Sequence, residues 1–156
     1  MQASPLQLEA YFLKDAKFSL GDDLQSLPES IVEMHGLNIK IQDETGFDET
    51  QQMWRSEVRV TATSKGKEKV PYTFDVAMVG FFRVHESYPK EHIELMAKTN
   101  APALLYSAIR EVIGNMTSRS PFSMIFLPSV TFLRPDKEIT KESKTRKPIS
   151  KRKLAV

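Results

Sequence analysis

Residues 53–84 read MWRSEVRVTATSKGKEKVPYTFDVAMVGFFRV, and the alternation within them decides the fold. In Met53–Thr63, Trp54, Val58, Val60 and Ala62 interleave with Arg55, Glu57, Arg59 and Thr61. In Val70–Val84 one parity carries Tyr72, Phe74, Val76, Met78, Phe82 and Val84. Successive side chains of a strand point to opposite faces, so period two predicts a sheet with one covered and one wetter face. The polar link Ser64-Lys65-Gly66-Lys67 reads as a hairpin turn, with Gly66 free to take a positive φ.

Two further strands lie upstream. In Leu8–Leu20 the even positions Leu8, Ala10, Phe12, Ala16 and Phe18 are apolar around an interrupting Lys14, while Glu9, Asp15 and Lys17 take the other face. In Ile31–Gln42 the odd positions Ile31, Leu37, Ile39 and Ile41 form one stripe. The connection from Gly21 to Pro28 is long enough to cross over between these two strands, and Asp43–Thr50 reads as a polar loop. Downstream the period changes. Ser87 can cap a short helix running to about Lys98, with Pro89 in its first turn. Asn100 caps a second, in which Leu105, Ile109, Val112 and Met116 recur at helical spacing and Ala108 and Ile113 widen the stripe. That helix should stop near Ser118–Arg119, ahead of Pro121, and Phe122–Leu133 should wrap over the core in extended form.

A length of 156 residues predicts one domain, here residues 1–133. From Arg134 onward, nine Lys or Arg face three Asp or Glu, a net charge of +6, and no aromatic residue is present. Such a composition cannot bury enough surface to order itself, so residues 134–156 read as a flexible basic tail. The preceding 133 residues hold thirteen basic and seventeen acidic side chains, net −4. No cysteine is present, which excludes disulfides, thiolate zinc sites and cysteine nucleophiles and fits a reducing compartment. The N-terminal segment lacks the basic and unbroken apolar regions of a secretory signal, and Phe122–Leu133 is too short to span a bilayer. A cytoplasmic protein that does not insert in membranes is the expectation.

No catalytic constellation emerges. His35, His85 and His92 are scattered without a second ligand at metal spacing, Ser118 and Ser120 sit in no nucleophile elbow, and the six glycines form no phosphate loop. The expectation is a protein that is not an enzyme and uses neither cofactor nor metal. What stands out is an aromatic and apolar excess for so small a sheet. Phe81 and Phe82 are adjacent, so they face opposite sides, and Ala77 and Val79 share the Phe81 face. That second face should be covered in part by another subunit or a ligand.

The order and spacing of several segments resemble the SecB family of protein-export chaperones. They are Pro102-Ala-Leu104-Leu105-Tyr106, Arg110-Glu111, Ile113, Met116, Ser118-Arg119, Phe122, Leu127, Val130 and Phe132. Leu6-Gln7-Leu8 to Tyr11 with Lys14-Asp15 and Phe18 is similar to the family's first strand, and Phe74-Asp75-Val76 with Gly80-Phe81-Phe82 to its fourth. The resemblance implies an α+β fold: a four-stranded antiparallel sheet with two C-terminal helices packed on it. It further implies a homotetramer, a dimer of dimers stacked through helices. Unfolded clients would lie in apolar grooves and pass to the motor ATPase SecA, docked on an acidic patch of the sheet.

On these grounds Tyr11, Tyr72, Phe74, Met78, Phe122, Met124 and Phe126 are the expected client-binding residues. Asp15 and Asp75 are the expected SecA-docking pair, and Leu105, Ile109, Val112 and Met116 the expected subunit interface. Ser19, Thr73 and the basic tail depart from the family pattern at the docking patch and the C-terminus. A SecB-like chaperone that protects an antitoxin is the variant reading. The rival is nucleic-acid binding through the tail, since nine basic residues can neutralise several phosphates. The acidic body and the lack of interleaved aromatic residues argue against it.

Overall fold

A computed structural model describes residues 3–21, 36–67 and 70–134. Four strands come first: β1 (Leu6–Leu20), β2 (Leu37–Asp48), β3 (Met53–Ser64) and β4 (Tyr72–Val84). A single 3₁₀ turn at Lys90–His92 then leads into one long helix, α1 (Ile93–Thr117). The strands form an antiparallel sheet in the order β1-β4-β3-β2. β1 and β2 are neighbours in sequence but occupy opposite edges, so their connection crosses over as expected. Its residues 22–35, which include the expected start of the second strand at Ile31–His35, lie outside the described residues, as does the tail beyond Arg134.

The β3–β4 pairing sets the two faces. Trp54, Val58, Val60 and Ala62 lie opposite Phe82, Met78, Val76 and Phe74, and α1 covers this inner face. Gly66 takes φ +59° in the turn, as its type allows. α1 buries Ala97, Ala101, Leu105, Ile109 and Ile113 against the sheet. Each large side chain removed from water in this way contributes roughly 1.5–3 kcal/mol. The crossing is close at Gly80, where an added Cβ would stand 2.8 Å from Leu105 Cδ2.

Four expectations need correction. The strict even parity of β1 fails because the strand carries two bulges, between Leu8 and Ala10 and between Leu13 and Asp15. Each inserts one residue and flips the faces that follow. Tyr11 and Leu13 therefore join Leu8, Ala16 and Phe18 on the inner side, and Ala10 and Phe12 move to the open side opposite Phe81 and Val79. The polar stretch expected as a loop after Gln42 continues β2 to Asp48, because residues 43–48 pair in register with Met53–Val58. An edge strand tolerates polar side chains that a central one would not.

The two expected helices are one. Pro102 lies inside α1, where it supplies no N–H to the Lys98 carbonyl, yet buried Ala101, Pro102 and Leu105 carry the packed face across the gap. Ser87 does not cap the helix; its hydroxyl lies 2.7 Å from His85 Nδ1. The α1 end at Thr117 agrees with the sequence reading.

Candidate functional site

The segment after α1 runs in extended form and is tied down by three side-chain hydrogen bonds. The Tyr72 hydroxyl donates to the Ser123 carbonyl (3.1 Å), and the Tyr106 hydroxyl to the Pro128 carbonyl (2.7 Å). The Ile125 amide donates to Thr117 Oγ1 (3.2 Å), which itself donates to the Ile113 carbonyl (2.8 Å). Leu127 is the buried anchor of this wrap. Burial pushes the Tyr72 phenol up to about 12, and the same desolvation raises Tyr106. Both phenols are thus neutral donors across the physiological range.

The wrap, α1 and the edge strand β1 leave apolar side chains in the open. Phe126 is 80% exposed and Tyr11 54%, with Leu8, Leu13, Leu104 and Met124 also well exposed. A cavity of about 280 Å³ between β1 and α1 is lined by Leu8, Tyr11, Leu104, Leu105, Ser107, Ala108 and Glu111. A second, of about 450 Å³, lies where Ser107, Glu111 and Gly114 face Met124, Ile125 and Phe126. Ser107 and Glu111 border both, so one shallow path runs from the β1 edge over α1 to the wrap, apolar at its two ends and polar where Ser107, Arg110, Glu111 and Asn115 line its middle.

The expected client-binding residues divide. Tyr11, Met124 and Phe126 lie on this path at the surface. Phe122 is half-buried, its ring 6.5 Å from that of Tyr72. Tyr72, Phe74 and Met78 are core residues on the inner sheet face, and Tyr72 has no exposed surface in the isolated chain. They hold the wrap and helix in place and do not themselves meet the surface. Leu8, Leu13 and Leu104 are exposed beside them and were not in the expected set. The β1 bulges hid Leu13, whereas Leu8 and Leu104 lie in the family-like segments.

The expected interface stripe is likewise turned inward. Leu105 and Ile109 are buried against the sheet, and Val112 and Met116 pack partly on the same core. Leu104, one residue before Leu105, is exposed on the outer side of α1.

The open sheet face is a lattice of charge. Arg59 Nη1 lies 2.7 Å from both carboxylate oxygens of Asp75 and 3.5 Å from Asp15 Oδ2, so the two acids do converge, but on a shared guanidinium. Lys14, in the second bulge, reaches Glu57 at 2.8 Å, and Arg55 meets the same carboxylate. The Lys14 hydrogen bond is the main reason the Glu57 carboxyl sits below its usual range. Ala77 lies in register between Asp15 and Arg59, and it and Val79 are buried though α1 lies on the other side of the sheet. The stems of these charged side chains supply cover of the kind long cations provide. Phe12 and Phe81 stay together at the margin, centroids 6.2 Å apart. Among the described residues no cluster of His, Asp and Glu is placed to hold a metal, and no helix is long and apolar enough to cross a membrane.

Comparison with known proteins adds to this geometry. Residues 1–134 match the family model described as preprotein translocase subunit SecB. The chain is 28% identical over 126 residues to the protein-export protein SecB of Dechloromonas aromatica (strain RCB), an alignment covering 80% of each. It is 29% identical over 138 residues to the protein of that name from Bradyrhizobium sp., covering 84% of this chain and 80% of the relative. Among solved structures, a Mycobacterium tuberculosis SecB-like chaperone in complex with a ChAD peptide from an antitoxin superposes with a TM-score of 0.55. The identity is 18%, with 80% of this chain and 90% of that chain covered, a likeness of fold.

Proposed function

The chain belongs to the SecB family, and from that membership we propose that it is a holdase, keeping unfolded polypeptides from aggregating and competent for export. The observation that carries this reading is the exposed set of Leu8, Tyr11, Met124 and Phe126 along two adjoining cavities. Burying apolar surface is favourable at roughly 25 cal/mol per Å² and has no direction, so such a path can accept many sequences. Methionine adds an adaptable shape. The chemistry asked of the protein is binding and release, with no bond made or broken. In an aggregation assay on a chemically unfolded substrate, the wild-type chain should suppress light scattering, and Met124→Ser with Phe126→Ser should weaken that suppression. Tyr72 is unsuited to this test, because truncating it opens the core.

Clients would pass to SecA at the open sheet face. Asp15 and Asp75 support that reading by converging, while Arg59 between them reduces the charge they offer. Reversing both acids to lysine should weaken SecA binding by about thirtyfold or less, since exposed pairs are worth only about 0–1 kcal/mol each. Unchanged SecA affinity would remove this face from the account. A second reading is favoured by the shared fold of the mycobacterial SecB-like chaperone: the client here would be an antitoxin. Sequencing the polypeptides that co-purify with the chain separates the two.

A further inference from the structure

On the open sheet face, Asp15 and Asp75 are held inside a closed set of charges. Ala77 pairs with Asp15 across β1–β4 and with Arg59 across β3–β4, so strand register alone brings the guanidinium to the acids. Arg59 Nη1 lies 2.7 Å from both Asp75 oxygens and 3.5 Å from Asp15 Oδ2. Lys17, opposite Asp75 in register, places its Nζ 3.8 Å from the same Asp15 oxygen. Two cations thus stand against two carboxylates, and the local charge cancels. The Lys17 side chain is 72% exposed and that of Arg59 31%, so Arg59 is the inner counter-charge and Lys17 a looser outer one. Neighbouring rows supply no excess of acid, since Lys14 and Arg55 share Glu57 and Arg83 lies 3.2 Å from Glu9.

A docking partner's cation that approaches these acids meets Arg59 as well. An ionised carboxylate offers about four acceptor sites, so both acids can still take an incoming donor. The fixed guanidinium repels that donor, and one unit charge at roughly 6 Å in a watery setting changes affinity about threefold. We propose that Arg59, seconded by Lys17, is an affinity-setting residue of this face, an internal counter-charge that keeps a basic partner on a weak contact. This role rests on the reading that SecA docks at Asp15 and Asp75, and it adds what sets the strength of that docking. Its signature is a gain of binding when the cation is removed, a direction that damage to the fold does not produce. A contact held this weak is readily broken, as a handover requires.

The test measures the affinity of the full-length chain for SecA at low and at high salt. Arg59→Gln should bind about threefold more tightly than the wild type at low salt, and the advantage should shrink at high salt, where surface charges are screened. Arg59→Lys keeps the charge and should stay near the wild type. Lys17→Gln alters a largely exposed side chain and should gain about twofold or less, so it reads the counter-charge even where Arg59→Gln lowers stability. Adding Asp15→Asn and Asp75→Asn to Arg59→Gln should remove the gain. Unchanged or weaker binding by both glutamine variants overturns the affinity-setting role, and the docking reading then stands or falls on reversal of the two acids. A gain in Arg59→Lys as large as in Arg59→Gln overturns the role as well. Failure of the wild type to bind SecA overturns both.

Discussion

Gly80 shows how a single missing methyl group positions the groove. A Cβ there would stand 2.8 Å from Leu105 Cδ2 and from Phe82 Cε2, both in side chains with no room to move outward. Gly80→Ala should therefore lift α1 from the sheet and cost about 1–3 kcal/mol by overpacking, measured by denaturant unfolding. Unchanged stability would mean that the helix crosses more loosely. Some residue-level features were readable from sequence. Gly66 at a polar turn and Asp15 and Asp75 on the wet face needed only turn chemistry and parity. Others were not. A bulge leaves no mark in a binary pattern, so Lys14 looked like an interruption when it was the extra residue that restores the phase of β1. Asp43 looked like the start of a loop because its partner, Arg134, lies at the far end of the domain.

The wrap is the element on which the site most depends, and two phenols hold it. Burial pushes the Tyr72 phenol up to about 12, against 10.0 for the unperturbed side chain. A group whose folded pKa is raised contributes stability that is fully present below its unfolded value and disappears as pH rises through the folded one. The tether should thus be intact below pH 10 and fail between pH 10 and about 12, seen as faster amide exchange at Ile125 alongside tyrosinate absorbance. Tyr72→Phe should cost about 1 kcal/mol and abolish the part of that transition due to Tyr72. Exchange at Ile125 that is indifferent to both changes would show the wrap to be held by apolar contacts alone. Strand existence and the end of α1 were legible because period and proline mark them. The continuity of α1 was not, because Asn100 and Pro102 signal a boundary locally and only buried packing on either side overrides it.

At the scale of the whole molecule, apolar side chains remain exposed on β1 and on the outer side of α1. Pairing of subunits along the β1 edge and stacking through Leu104 would cover part of them. A tetramer is therefore expected by light scattering at micromolar concentration. Leu104→Glu should weaken the assembly by about 1–3 kcal/mol through an unpaired buried charge, without unfolding the chain. A charge at Ile109 would instead disrupt the core, since that residue is buried inside one subunit. A monomer at that concentration would contradict the arrangement. The four-strand-then-helix plan was readable because one face of nearly every element is apolar. The division of that apolar surface between core and groove was not, because composition cannot tell Tyr72 from Tyr11. The central claim is that the surface share binds unfolded chains, and it is tested most directly by the affinity of the full-length assembly for one permanently unfolded polypeptide. Tyr11→Ser combined with Phe126→Ser should lower that affinity about tenfold or more at unchanged oligomeric mass and unfolding midpoint. Wild-type affinity in that double variant would contradict the account.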